Sequence, residues 1–488
     1  MKVKDNIKRL SAEDRQRNKK FLWIGLAIII SIQVFFAVLG NKIPEIQSRK
    51  VTSGFVHDYA KRFFYFYYYK GLFPVATTSG NLIYSKDGAD QLVENEGESL
   101  IMEYKHWSRM GENARIFAFL PDAFLRRTAQ NPSIKLFNSI LFLLALMMTF
   151  SAFYRENRVL LGALIVLIFS FTPFFMYEVH HNKNVFGLLA SVFLIILSLN
   201  LDLMFNEKKK YIHYIIAIAT GLIIGLFTEI RGEIQVILLS AMLMYFFASK
   251  IKASQKAILI LTVFLSFYGM KYSIRYYFDT KFEHAAAFVE ENGGHVYTGP
   301  RMTAHSFWHP VFCGLGDFDQ KYGYKWDDIV AYNYAIPILK EKYKLSLNYS
   351  GKYGLDEYYD KDSLYYKKLE EFTEYDEIVK TKVLGDIKSD PGWYIEILFK
   401  RIERILKRTL PFDFAGWLIL PVFILLLIGR ERKLINLLLV SLPLSLTPLI
   451  IFSKGNATYN SVFPILSLSI MLMWIFRLIK SKLIDSKT

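Results

Sequence analysis

Long apolar runs alternate along the chain with short charged punctuation. A bilayer core of about 30 Å takes roughly 20 apolar residues of helix. Ten runs of about that size are present, at 21–40, 134–153, 159–177, 185–205, 212–229, 232–249, 257–276, 414–429, 434–452 and 461–479. The pattern predicts an all-α polytopic membrane protein of about ten transmembrane helices. The seventh and eighth runs are the weakest, one meeting Lys271 and Arg275 and the other being short. An even number of spans places both termini on one side.

Composition agrees with that pattern. The chain has 488 residues, 53% of them hydrophobic and 21% charged, with a mean hydropathy of +0.23. This is too apolar for an ordinary soluble enzyme. The single cysteine, Cys313, excludes a disulfide framework and, on the usual count of paired thiolates, a cysteine-based zinc site.

Net charge is +16, and its position is informative. The segments assigned to the side of the termini hold 23 basic and 7 acidic residues, so the rest of the chain is balanced. Cationic short loops mark the cytoplasmic face, which predicts both termini inside and argues against nucleic-acid binding. The first apolar run is too long for a signal-peptide core and reads as an uncleaved anchor.

The expected organisation is a cytoplasmic tail over 1–20, an N-terminal transmembrane module over 21–276 with a first outer loop at 41–133, an outer-face lobe over 277–413, and C-terminal helices with a tail over 414–488. Residues 55–70 combine an aromatic block with Lys61, Arg62 and Lys70, the composition of a helix lying at headgroup depth. Residues 97–127 are expected to form a second amphipathic helical segment. No internal repeat of the transporter kind is visible. Residues 344–390 read as a soluble helical lobe, and Asn348 and Asn456 head sequons on the outer side.

Four outer-face clusters carry candidate chemistry. In the first loop Glu98 and Glu103 are the carboxylates best placed to face the membrane. The second outer loop packs Glu178, His180, His181 and Lys183 into eight residues, a set able to hold a divalent cation such as Mg or Mn, or a phosphate. In TEIRGE, Glu229, Arg231 and Glu233 interrupt apolar sequence, where charge is costly unless paired or facing a polar cavity. The planar fork of Arg231 suits two phosphoryl oxygens.

The fourth cluster runs from Arg301 to Asp328. His305 and His309 are spaced i, i+4, but no glutamate stands between them and Pro310 follows, so a zinc-protease motif is absent. Phe307, Trp308, Tyr322, Tyr324 and Trp326, with Asp317, Asp319, Asp327 and Asp328, suit a sugar or acceptor site. Rings stack on pyranose faces while carboxylates accept from hydroxyls. His305, Trp308, His309, Asp317 and Asp319 are the expected members.

This layout of an inner tail, one anchor, a long first outer loop, a short acidic and histidine-bearing second outer loop and a later outer lobe resembles the glycosyltransferase C superfamily. The resemblance implies a polytopic enzyme that takes a sugar from a polyprenyl-phosphate donor and transfers it to a glycan, lipid or protein acceptor outside the plasma membrane, in envelope glycan assembly. It implies a first-loop catalytic base, here Glu98 or, second, Glu103. Acidic or metal-binding residues would be Glu178, His180 and His181, and the cations near the lipid phosphate Lys183, Arg231 and Lys454. The first-loop carboxylate commonly lies nearer the first span in that superfamily, and neither an Asp-x-Asp second loop nor a WWDYG lobe motif is present. Alternatives are a polymerase or ligase of lipid-diphosphate-linked glycan, and a non-enzymatic transporter.

Overall fold

A computed structural model describes residues 12–39, 66, 69–73, 75–77, 85–102, 132–172, 175, 179, 185–204, 210–249, 251–296, 306–343, 357–359, 366–369, 373–450 and 461–485. Sixteen α-helices are described: α1 Ala12–Leu39, α2 Lys86–Glu96, α3 Pro132–Arg155, α4 Val159–Phe171, α5 Val185–Met204, α6 Lys210–Ile230, α7 Ile237–Phe247 and α8 Ala253–Glu291. They continue as α9 Trp308–Leu315, α10 Asp328–Lys342, α11 Thr373–Ser389, α12 Pro391–Lys407, α13 Ile419–Ile428, α14 Arg432–Ser441, α15 Leu446–Ile450 and α16 Val462–Asp485. Two short antiparallel strand pairs accompany them: β1 Ala76–Thr77 with β2 Leu100–Ile101, and β3 Glu357–Tyr359 with β4 Tyr366–Lys368.

Four helices are long and apolar enough to cross a membrane, over Leu136–Arg155, Tyr211–Ile230, Ala253–Glu291 and Val462–Ile479. Five shorter apolar helices lie at Lys20–Phe36, Val159–Phe171, Val185–Leu201, Gly232–Phe247 and Ala415–Ile428. Their exposed faces are apolar, with Trp23, Phe171, Leu265 and Ile424 all open, as expected where lipid replaces water as the solvent. The expected run at 434–452 is not one helix. It breaks into α14, a 3-10 turn at Pro443–Ser445 and α15. Pro443 lacks an N–H and interrupts the ladder where the 3-10 turn begins.

One large core joins α1, α3 to α8, α13, α14 and α16. The α6–α8 contact within it rests on small residues. A Cβ at Gly221 would strike the Val263 carbonyl, and one at Gly225 would lie 2.9 Å from both Met270 Cβ and Phe267 O. This is a G-x-x-x-G face that lets two membrane helices approach backbone to backbone. Contacts advance together along both helices, so α6 and α8 run in the same direction.

Ion pairs fix which loops share an end of the bundle. Arg158 pairs with Glu431 at 2.8 Å and Lys433 with Glu156 at 2.6 Å, bringing the α3–α4 and α13–α14 turns together. His213 meets Gln255 at 3.3 Å, joining the starts of α6 and α8.

The seventh run does not stop at residue 276. It continues as one helix to Glu291, 39 residues or about 58 Å long at 1.5 Å per residue. Only about half of that length fits within a hydrocarbon core. The exposed Tyr268, Tyr272, Tyr276 and Tyr277, with Lys271 and Arg275 between them, have the aromatic and cationic composition typical of a membrane boundary. Beyond it, Phe282, Ala285 and Val289 pack with Phe66, Phe73, Val75, Ala89, Leu100 and Met102 in a second core. Phe66, from the aromatic block expected at headgroup depth, is fully buried there. Lys70 pairs with Asp90.

The third core belongs to a lobe of α9 to α12. It includes Phe312, Tyr324, Tyr332, Tyr375, Val379 and Trp393. The region read as a soluble helical lobe at 344–390 contains the β3–β4 pair as well as α11.

Candidate functional site

α6 ends at Ile230, where Arg231 adopts extended backbone (φ −153°) ahead of a 3-10 turn at Gly232–Val236. The break places three charges within five residues. Arg231 Nε donates to Glu233 Oε2 at 2.9 Å and its Nη2 donates to Oε1 at 3.1 Å. This fork-to-fork pair is half-buried, and Glu229 on the last turn of α6 is 8% exposed. The turn packs on α5, on the Pro443–Ser445 turn and on α15. α15 in turn contacts α12, where Arg401 donates to the Leu449 carbonyl at 2.8 Å. The broken ninth run therefore links the charged turn to the lobe.

Glu98 occupies different ground. It is exposed on a 3-10 turn, Gly97–Ser99, that follows α2. Ser85 caps α2 by accepting from the Gly88 N–H at 3.0 Å. The turn docks on the far end of α8. Gly97 faces the Asn292 carbonyl, and Glu98 Cγ lies 3.6 Å from where a Cβ on Gly293 would stand. Backbone pairing of Leu100 and Met102 with His295, at 2.9 and 3.0 Å, fixes the register. Gly293 has φ +71°, a conformation that favours glycine.

The α6–α8 register separates the two places. Gly225 lies against Phe267 and Met270, so Arg231 stands near the level of the tyrosine belt. Asn292, beside Glu98, is about 25 Å farther along α8. One sugar phosphate does not span that interval, so Glu98 and Arg231 do not serve the same donor in this arrangement.

The residues expected to form a sugar site do not gather on a surface. His309 is 1% exposed, and its ring stacks on Tyr332 at 4.8 Å between centroids. Its Nδ1 lies 2.5 Å from the Tyr375 hydroxyl, and its Nε2 3.2 Å from Asp328 Oδ1. Asp317 is buried between Arg401 and Arg404, at 3.5 and 3.6 Å. Asp319 accepts from the Lys321 N–H at 3.0 Å and from Trp393 Nε1 at 3.4 Å. Trp308 packs at the edge of the lobe core with its ring against Phe307.

Tyr324 is buried and stacked on Trp393, with its hydroxyl donating to Asp386 at 2.8 Å. Burial, reinforced by Asp386, raises the Tyr324 phenol far above its ordinary range. Of the other expected residues, Glu103, Glu178, His180, His181, Lys183, His305 and Lys454 lie outside the described residues.

Arg401, Cys313 and Tyr375 were not expected, and Asp328, expected among the sugar-site carboxylates, instead lies beside His309. The signal for Arg401 was a cation on the apolar stripe of α12, beside Ile397 and Ile405. The sequence signal for Cys313 is its i, i+4 spacing from His309, the mirror of the His305–His309 spacing.

Compared with family models, curated proteins and solved structures, the chain has no match in any of the three.

Proposed function

We propose that the chain is a polyprenyl-phosphate-sugar-dependent glycosyltransferase working at the outer face of the plasma membrane, with ten spans and both termini inside. One observation carries the reading. The Glu229–Arg231–Glu233 turn holds paired, half-buried charge at the level of the aromatic belt, against α15. What makes these groups costly is burial among apolar helices rather than depth, and buried ionisable groups in a membrane protein are candidates for a substrate site. The ordered lobe and the α8 extension supply mass on the same side for an acceptor too large to be carried across.

The chemistry required is simple. The acceptor O–H gives its proton to a carboxylate, its oxygen bonds the anomeric carbon, and the anomeric C–O(phosphate) bond breaks with its electrons going to the leaving polyprenyl phosphate. Arg231 is suited to the charge that develops on that phosphate. An arriving phosphate would compete with Glu233 for the guanidinium fork, releasing a carboxylate beside the reacting centre. Glu233 is therefore the base this arrangement favours, in place of the first-loop carboxylate implied by the resemblance.

The test uses the full chain in lipid nanodiscs with a panel of polyprenyl-phosphate-linked sugars and reads release of polyprenyl phosphate. Release by the wild type, lost on Arg231→Lys, supports the proposal. No release from any donor, with glycan acceptors supplied, overturns it.

A further inference from the structure

We infer that His309, Cys313 and Asp328 form a zinc-class metal site inside the outer lobe, one that does not depend on the transferase reading. α9 presents His309 and Cys313 one helical turn apart, on the same face. Asp328 opens α10, which packs across that face. His309 Nε2 and Asp328 Oδ1 are 3.2 Å apart, Cys313 Sγ and His309 Nε2 3.8 Å, and Cys313 Sγ and Asp328 Oδ1 3.7 Å.

Those three edges are the face of a coordination tetrahedron. Zn–S near 2.3 Å with Zn–N and Zn–O near 2.0–2.1 Å places N and O about 3.3 Å apart, and S about 3.5 Å from each. The observed triangle needs only a small contraction. Three protein donors leave the fourth tetrahedral position to water or a substrate oxygen.

The outer shell fits as well. Metal-bound imidazoles usually donate their second N–H to an oxygen, which fixes the tautomer. The Tyr375 hydroxyl sits 2.5 Å from Nδ1 and leaves Nε2 directed at Cys313 and Asp328. His309 and Cys313 are 1% and 3% exposed, whereas the Asp328 side chain is 64% exposed, so a path for an ion runs past Asp328. Charge also balances: a thiolate and a carboxylate neutralise a divalent cation, so the bound state buries no net charge. Sulfur with imidazole selects zinc-class ions over Mg or Mn. A single thiolate in a mixed donor set escapes the argument that one cysteine excludes zinc.

The experiment is cobalt titration of the chelator-treated full chain in detergent, with bound zinc measured on the untreated protein. The wild type should take up about one ion per chain and develop the near-ultraviolet thiolate-to-cobalt charge-transfer band. Cys313→Ser should lose that band. Tyr375→Phe, which leaves all three donors in place, should keep the band and weaken affinity about 10–100-fold. Wild-type protein that binds neither ion overturns the site, as does a charge-transfer band of undiminished affinity in Asp328→Ala.

Discussion

Arg401 Nε lies 3.5 Å from Asp317 Oδ2, and both side chains are completely buried. The pair ties α12 to the end of α9 inside the lobe, and Arg401 also reaches α15 across the seam with the apolar helices. Arg401 also donates to the Gly314 carbonyl at 2.7 Å on α9 and to the Leu449 carbonyl at 2.8 Å on α15. Removing one partner of a buried pair typically costs about 3–5 kcal/mol, because the other charge stays buried. Arg401→Met should therefore lower the thermal midpoint in detergent markedly, with Arg404 left to offset part of the Asp317 charge. An unchanged midpoint would show that the seam does not depend on this pair.

The α6–α8 contact gives a second prediction. Gly221→Leu puts a side chain where the Val263 carbonyl and Ser266 already stand, and overpacking of this kind costs about 1–3 kcal/mol. Gly269 on α8 has open space around it, so Gly269→Ala should be tolerated. Thermal midpoints of the two variants, compared with wild type, check the contrast. Equal effects would refute close packing at the glycine face.

The lobe should lose stability in acid by an identifiable route. Asp390 caps α12 by accepting from the Trp393 N–H at 3.0 Å, and it also accepts from Lys321 Nζ at 2.6 Å. Lys321 chiefly, then the capping N–H, hold its carboxyl below the usual carboxylate range. A depressed folded-state value means the contribution is complete above the unfolded carboxylate range and is lost as pH falls through the folded value. Lys321 is raised in turn by Asp390, so at the alkaline end the same pair weakens as pH rises through the lysine's own value. Asp390→Asn should flatten part of the acid limb of midpoint against pH. An unaltered acid limb would show that other groups govern it.

The transfer chemistry separates the two carboxylate positions. General-base help is typically about 10²–10⁴-fold, so Glu233→Gln should cost at least about a hundredfold in turnover at normal protein levels. Glu98→Gln, about 25 Å away along α8, should leave turnover near wild type. The reverse pattern would return the base to the first outer loop.

Much of the architecture was legible in the sequence because lipid imposes a one-dimensional rule on length and hydropathy. Runs such as 134–153 and 461–479 reappear as α3 and α16 nearly as read. What the rule cannot see is where a helix ends outside the membrane. α8 continues through Lys271 and Arg275 because charges are cheap beyond the hydrocarbon edge, and the run at 434–452 breaks at Pro443 although its hydropathy is uninterrupted. The charged turn at Arg231 was legible for a related reason, since charge stands out against apolar flanks. His309 and Asp317 were misplaced because polar residues in a loop-rich stretch look exposed, and only tertiary contacts with Tyr375 and Arg401 bury them. Cys313 was passed over as a lone thiol because its third partner, Asp328, lies fifteen positions on and meets it only after α9 and α10 pack.

Transfer from a lipid-phosphate sugar is tested most directly by mass spectrometry of polyprenyl-linked sugars in host membranes with and without this protein. Accumulation of a monophosphate-linked single sugar in its absence, reversed by wild type and not by Arg231→Lys, is the predicted result. An unchanged lipid pool, or a build-up of diphosphate-linked repeat units instead, would contradict it.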